Sequence, residues 1–337
     1  MYLSKRINGY YYIYYKDKYG KHQGISTKSK LKSDALEFLT NFKSELKKKE
    51  HQKVIPILLD AFRKEFLKHS EAIHSPKTTK TFITTFRYLQ EFLGNISLAE
   101  IKEKDIKAYI DNRITSASVY QARKDLINLS SCFNWSISEG YILTNPCKNV
   151  PKVKVPQKMP VFFSRKEFNK LLEVIDNQDL KDLITFAVNT GCRQMELLTA
   201  EWNQVNFEQS LLILDNHNHV TKSKKIRSIP LNKTAVEVLL RRKELNSYNQ
   251  NIFIHKGRAL IPKRVQNNFR IYIKVAGLNP KLNFHSLRHT FASWLVQMGV
   301  SIYEVSKLLG HSNIKTTEIY SHLRTEDLMK SVNLLNN

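Results

Sequence analysis

Apolar positions along this chain recur first at the spacing of strands, then at that of helices, and last in a mixture of both. From residue 56 to about 146 the spacing is helical throughout. Ile57 to His69 reads as a first helix, with apolar positions at Leu58, Leu59, Phe62, Phe66 and Leu67. Ser75-Pro76 gives the favoured N-cap and N1 order for a second, which Gly94 stops. Ser97 with Glu100 reads as the capping box of a third. Ser116 or Ser118 opens a fourth, in which Leu126, Leu129, Cys132, Phe133 and Ile137 recur before Gly140. Four helices in this span predict a compact all-α domain over 55–148.

Ahead of it, Tyr10 to Tyr15 is a β-strand run, and Lys16 to Lys21 contains Gly20 and reads as a hairpin turn. A second strand runs through Ile25. Ser33 is placed to cap a helix carrying Leu36, Leu39, Phe42 and Leu46 on one side. Residues 1–50 thus form a small basic β-β-α module. Behind the helical domain, Pro151, Pro156 and Pro160 alternate with lysines and no acidic residue, so 149–160 is an extended linker that can follow a phosphate backbone.

Residues 161–324 predict a mostly helical domain with one sheet. Ser164 with Glu167 caps one helix and Gly191 ends another. Leu211–Leu214 and Ile226–Leu231 are the clearest strands, joined by a polar, basic turn from His217 to Lys225. Helices resume from Thr234. A tail helix over 325–337 presents Leu328, Val332 and Leu335 on one face. The fold class expected is mainly α with small β-sheets, a multi-domain α+β protein.

Charge narrows the partner. The 337 residues hold 54 Lys+Arg against 30 Asp+Glu, a formal +24. A basic excess spread along the chain expects a polyanion, and double-stranded DNA is the partner the motifs below select. Residues 1–55 alone carry 13 Lys/Arg, 5 Asp/Glu and 7 of the 15 tyrosines, which suits a sheet laid in a DNA groove. No apolar run approaches the roughly 18 residues needed to cross a bilayer, and the start lacks a secretory stretch. Cys132, Cys147 and Cys192 fall in no metal-binding spacing. A reducing cytoplasm, with the protein on DNA, is expected.

The chemistry lies late in the chain. A phosphodiester resists attack because its oxygens repel nucleophiles and the alkoxide leaves poorly. Catalysis must neutralise the nonbridging oxygens, place a nucleophile and protonate the leaving group. Arginine suits the first task through its fixed, always-charged fork. Histidine or lysine suits the last, and a tyrosine becomes a nucleophile where nearby cations favour its phenolate. Arg193, His285, Arg288, His311 and Tyr320 supply these types in order.

Thr190 to Leu198, His285-Ser286-Leu287-Arg288-His289, Leu308 to His311 and Thr316 to His322 together resemble the motifs of the tyrosine recombinase (phage integrase) family. The resemblance covers 160–325 well; the upstream helices resemble the family's core-binding domain by pattern, and 1–50 the arm-binding modules of some integrases. It implies the family's catalytic fold behind a helical core-binding domain. It also implies that Arg193 and Arg288 clamp the phosphate, with Glu196 orienting Arg193. Lys222 takes the general-acid position, with Lys224 and Lys225 close rivals. His285 is the implied proton acceptor or phosphate ligand, and His311 hydrogen-bonds an oxygen near the leaving group. His289, on the face of His285, is assigned to packing, and His322 to a supporting place. Tyr320 is the nucleophile; its nearest rival, Tyr303, falls in an apolar helical pattern.

The implied reaction needs no metal and no nucleotide cofactor. Tyr320 forms a 3′-phosphotyrosyl link and Lys222 protonates the freed 5′-hydroxyl. Strand exchange then follows within a tetramer on two DNA sites. The 325–337 tail is expected to dock on a neighbouring protomer, and accessory DNA-bending proteins are candidate partners. A mobile-element integrase is the leading reading. The alternatives are a Xer-like resolvase of chromosome dimers, a type IB topoisomerase and a catalytically inactive DNA-binding protein.

Overall fold

A computed structural model of the chain describes residues 1–16, 21–51, 54–156, 159–215, 226–324, 332, 333 and 335. It divides into two compact units, Met1–Gln157 and Lys158–Asn337. The boundary falls inside the proline-rich stretch.

The first unit opens with an antiparallel sheet of β1 (Tyr2–Lys5), β2 (Tyr11–Lys16) and β3 (His22–Ser26), in that order. The sequence pattern gives β2 and β3; β1 is too short and polar to show a period, and exists because Leu3 pairs with Ile13. Helix α1 (Lys32–His51) covers one face, where Ile13 and Ala35 are fully buried and Tyr15 meets Phe42 edge-on at 5.2 Å. Among the described side chains the apolar stripe is therefore Ala35, Leu39 and Phe42; Leu36 is exposed, the side chain of Leu46 lies outside those described, and the helix starts one residue before Ser33. On the opposite strand phase, Arg6 lies 4.1 Å over the Tyr12 ring and donates to the Tyr14 hydroxyl at 2.8 Å, and Tyr14 stacks on Tyr2.

Four helices follow: α2 (Leu59–Ile73), α3 (Pro76–Leu93), α4 (Glu103–Ser116) and α5 (Val119–Ser138). Ser75 and Ser118 are the caps, accepting from the amides of Thr78 and Gln121. The Ser97–Glu100 box does not form. Ser97 bridges Leu58 as a strand pair, and Leu98 and Ile101 are drawn into the core, leaving one 3-10 turn (Leu98–Glu100). Helix α4 begins at Glu103 instead, where Asp105 accepts from the Lys102 amide at 2.9 Å. Inside, the carboxylate of Asp125 is fully buried and accepts from Arg113, Thr85 and Gln121.

The second unit contains α6 (Arg165–Val174), α7 (Gln178–Thr190) and the short α8 (Gln194–Leu198). A sheet follows of β4 (Val205–Asn206), β5 (Leu211–Leu214) and β6 (Arg227–Pro230). Then come α9 (Lys233–Asn246), the small hairpin β7 (Ile254–His255) and β8 (Arg258–Ala259), α10 (Pro262–Val275), α11 (Phe284–Gln297) and α12 (Ile302–Leu309). Two 3-10 segments, Ile314–Thr316 and Glu318–Arg324, close the described fold. The two-residue strands β4, β7 and β8 are too short for a period to announce. The capping box of Ser164 with Glu167 forms as the sequence predicts. A core around Phe163, Phe186, Phe269 and Phe284 holds the unit together, and the Thr290 hydroxyl and Trp294 ring nitrogen fix Phe163 to α11. A separate apolar cluster joins α11 to α12 through Ala292, Val296, Val305 and Leu309, and it includes Tyr320. The fold is mainly helical with small antiparallel sheets.

The turn from 216 to 225 lies outside the described residues, as does most of the tail helix expected over 325–337, including Leu328. Val332 and Leu335 are exposed. No described helix is long and apolar enough to cross a membrane.

Candidate active site

Helix α7 ends at Gly191 in the left-handed conformation, φ 63°. A side chain there would be strained, and its Cβ would stand 2.5 Å from the Phe291 ring. The reversal buries Cys192 and makes Arg193 the N-cap of α8. One turn on, Glu196 accepts from both the amide of Arg193, at 2.7 Å, and its guanidinium, at 2.8 Å. The Glu196 side chain is 3% exposed and that of Arg193 is 40% exposed. Glu196 is therefore no surface partner: it fixes Arg193 from behind and leaves the guanidinium facing outward.

Glu196 has a second partner that the motifs do not advertise. Arg227 on β6 donates to it at 2.7 Å, and to the carbonyl of Leu309. Strand alternation puts Arg227 in phase with buried Ile229 and Leu231, so a charge at an inward position was the available signal. Burial pushes the Glu196 carboxyl upward, but Arg227 and Arg193 more than offset it and hold it below the usual carboxylate range.

Helix α11 starts at an Asn283 cap, which accepts from the His285 amide. His285, Arg288 and His289 then recur three and four apart on one face. Arg288 is 3% exposed and donates to Gly191 O at 2.7 Å and Leu309 O at 2.6 Å. One arginine thereby ties the end of α7 to the end of α12. Burial, then the charges of Arg193 and Arg227, lower its pKa to about 9, so it remains a cation at neutral pH.

Helix α12 stops at Gly310, again left-handed at φ 63°, and the next residue is His311. Its Nδ1 lies 2.8 Å from the Thr317 hydroxyl. Burial, then Arg288, Arg193, Arg227 and His285, lower its pKa to about 4, leaving a neutral ring. The same four groups reach it because they converge there. His285 is exposed, with its pKa lowered by partial desolvation and by Arg288 and Arg193.

Tyr320 sits in the last 3-10 segment, 1% exposed, with burial raising its phenol to about 12 against the pull of Arg288. Its hydroxyl lies 2.6 Å from His289 Nδ1. His289 is thus more than the packing residue the sequence reading makes it: it touches the phenol. The i,i+4 step from His285 could not disclose this, because the partner is 31 residues away and on another element. Tyr303 is exposed, with Lys307 over its ring, and not part of the apolar face its neighbours suggest. His322 is exposed. Lys222, Lys224 and Lys225 lie outside the described residues.

Arg193, Glu196, His285, Arg288, His311 and Tyr320 therefore gather in one place, with Arg227 and His289 added. An outward-facing Arg193 beside the buried Arg288, a neutral His311 and a buried phenol are groups that can hold one phosphate and attack it.

Residues 162–327 match the phage integrase family, and residues 59–152 match the phage integrase central domain. The tyrosine recombinase XerC of Pediococcus pentosaceus is 29% identical over 286 residues, covering 77% of this chain and 92% of that protein. XerC of Proteus mirabilis is 30% identical over 216 residues, covering 60% of this chain and 67% of its own length. Among solved structures, a lambda integrase dimer bound to a COC′ core site superposes with a TM-score of 0.66 at 21% identity, over 96% of this chain and 95% of that one.

Proposed function

The chain belongs to the phage integrase, or tyrosine recombinase, family, and from that premise we propose which of its residues exchange DNA strands and to what end. It is a site-specific recombinase, a DNA strand transferase that works through a phosphotyrosine. Arg193 and Arg288 grip the nonbridging oxygens of the scissile phosphate, and His285 and His311 supply further hydrogen bonds to it. The Tyr320 oxygen attacks phosphorus, forming a 3′-phosphotyrosyl bond and releasing a 5′-hydroxyl protonated by Lys222. The bond energy is kept in the phosphotyrosine, so a 5′-hydroxyl from a partner duplex reverses the step without a nucleotide.

The observation that carries these assignments is the position of Arg288. Its guanidinium binds the carbonyls of Gly191 and Leu309, which precede Arg193 and His311 by two residues each. A nicked duplex that traps the covalent intermediate tests the reading. Tyr320→Phe should abolish the adduct, and Arg193→Lys or Arg288→Lys should lower its rate by about 10²-fold or more. Adduct formation by Tyr320→Phe would overturn the nucleophile assignment.

The biological role proposed is that of a mobile-element integrase. Residues 1–50 would grip a second DNA sequence through the Tyr2, Tyr12, Tyr14 and Arg6 face, and residues 55–148 would hold the core site with the catalytic domain. The matched lambda integrase is a dimer on a core site, and self-association on DNA, up to a tetramer on two sites, is proposed here too. The XerC relatives favour a second reading, a Xer-like resolvase. Deleting residues 1–51 separates them: an integrase loses recombination between its two different sites, whereas a resolvase keeps exchange between identical ones.

A further inference from the structure

We propose that His289 is the group that takes the proton from Tyr320 as it attacks DNA, and that gives it back when the phosphotyrosine is resolved. The proposal rests on Tyr320 being the nucleophile and assigns removal of its proton, a step that the arginine clamp cannot perform. A phenol attacks poorly while it keeps its proton, so some atom within hydrogen-bond reach must receive it. His289 Nδ1 is at 2.6 Å from the hydroxyl. His285, the residue that family resemblance nominates, is exposed. It stands beside the fields of Arg288 and Arg193, where a phosphate ligand belongs. Its ring meets that of His289 edge-on at 4.8 Å.

The electrostatics fit a base that is silent until substrate arrives. The charged or titratable groups bearing on His289 among the described residues are His285 and Arg288 from its own helix and Tyr320 from the 3-10 segment. Burial, then His285 and Arg288, bring its pKa to about 4, and burial brings that of Tyr320 to about 12. The imidazole is therefore neutral and its Nδ1 lone pair can accept, yet the gap is too wide for transfer in the free protein. A phosphate held by Arg193 and Arg288 adds negative charge beside both rings. That charge offsets the arginines and stabilises an imidazolium. At the same time, bonding to phosphorus makes the phenol oxygen a weaker base. The proton moves from Tyr320 Oη to His289 Nδ1 as the O–P bond forms, the bond from phosphorus to the 5′ oxygen breaks, and Lys222 supplies that oxygen with its proton. In the reverse step Lys222 takes the proton of the incoming 5′-hydroxyl and the His289 imidazolium protonates the departing phenolate. Every proton is accounted for without a further reagent.

The test uses the full chain and a nicked duplex of the sequence to which the parent protein becomes joined, in two forms. One has an oxygen and the other a sulfur at the 5′ bridging position of the scissile phosphate. The sulfur leaves as a thiolate and needs no proton donor, so it isolates activation of the nucleophile. Single-turnover formation of the adduct is followed from pH 5 to 8.5 for the parent, His289→Asn, His289→Gln and His285→Asn, alongside DNA affinity and thermal midpoint. The expected result is a fall of about 10²-fold or more in both His289 variants with either substrate, unchanged DNA affinity, and loss of the parent's decline toward acid pH. His285→Asn should keep that decline. Rates for both His289 variants within threefold of the parent, rates above it, or full restoration by the sulfur substrate would each overturn the proposal. A duplex still joined by Tyr320→Phe removes the nucleophile assignment beneath it, whereas a parent matched by His289→Asn removes this proposal alone.

Discussion

Glu196 stands inside the protein with a guanidinium on either side, and removing one changes what the other can do. In Arg227→Met, Glu196 keeps only Arg193, and the Leu309 carbonyl keeps only Arg288. Losing one partner of a buried pair costs roughly 3–5 kcal/mol. We expect a loss toward the lower end, since Arg193 remains, read from urea unfolding, together with a fall in adduct formation at unchanged oligomer state. An unfolding midpoint equal to the parent's would show that Arg227 is dispensable to the site. Gly310→Ala attacks the same contact from the other side. It forces a strained φ, and its Cβ would stand 2.6 Å from an Arg227 nitrogen, so cleavage should fall in parallel. The histidines add a pH dependence. His289 and His311 are depressed from 6.5 to about 4, so between those values the unfolded chain binds more protons than the folded one. Stability should therefore decline as pH drops from about 6.5 toward 4, and His289→Asn should flatten part of that slope in thermal scans. A slope unchanged in the variant would show that His289 titrates normally.

At the scale of elements, the two units are held by different means. The helical domain buries Asp125 on α5 with Arg113 and Thr85, so α3, α4 and α5 are locked by one carboxylate. Asp125→Ala strands a buried arginine and should cost about 3–5 kcal/mol; a loss under 1 kcal/mol by chemical unfolding would contradict this. In the catalytic unit, helix ends matter more than helix faces. Glycine reversals after α7 and α12 supply the carbonyls of Gly191 and Leu309 to Arg288, and each is followed within two residues by a site side chain. The motifs were legible because these reversals are local. The Ser97–Glu100 box misled for the opposite reason: a capping pair satisfies one turn, but burial of Leu98 and Ile101 decided where the chain went.

At the scale of the whole molecule, the +24 charge should show itself in salt. A protein contacting many phosphates releases as many counterions, so log affinity for DNA should fall steeply against log salt. Arg6→Ala should make that slope shallower by about one if the sheet of the first fifty residues meets phosphate. A slope that is shallow in the parent would argue against an extended DNA grip. Such a result would leave the candidate active site untouched, because the clamp proposed for Arg193 and Arg288 needs only one phosphate.

The sequence by itself determined the helical pattern, the caps at Ser75, Ser118 and Ser164, the family, and the order of Arg193, His285, Arg288, His311 and Tyr320. These depend on periods and neighbours within a few residues, which a linear chain displays. Only the tertiary structure brought Arg227 to Glu196 and His289 to Tyr320, contacts 31 residues apart in each case. A side chain's partner across such a distance is chosen by how strands and helices pack, and that choice leaves no period to read.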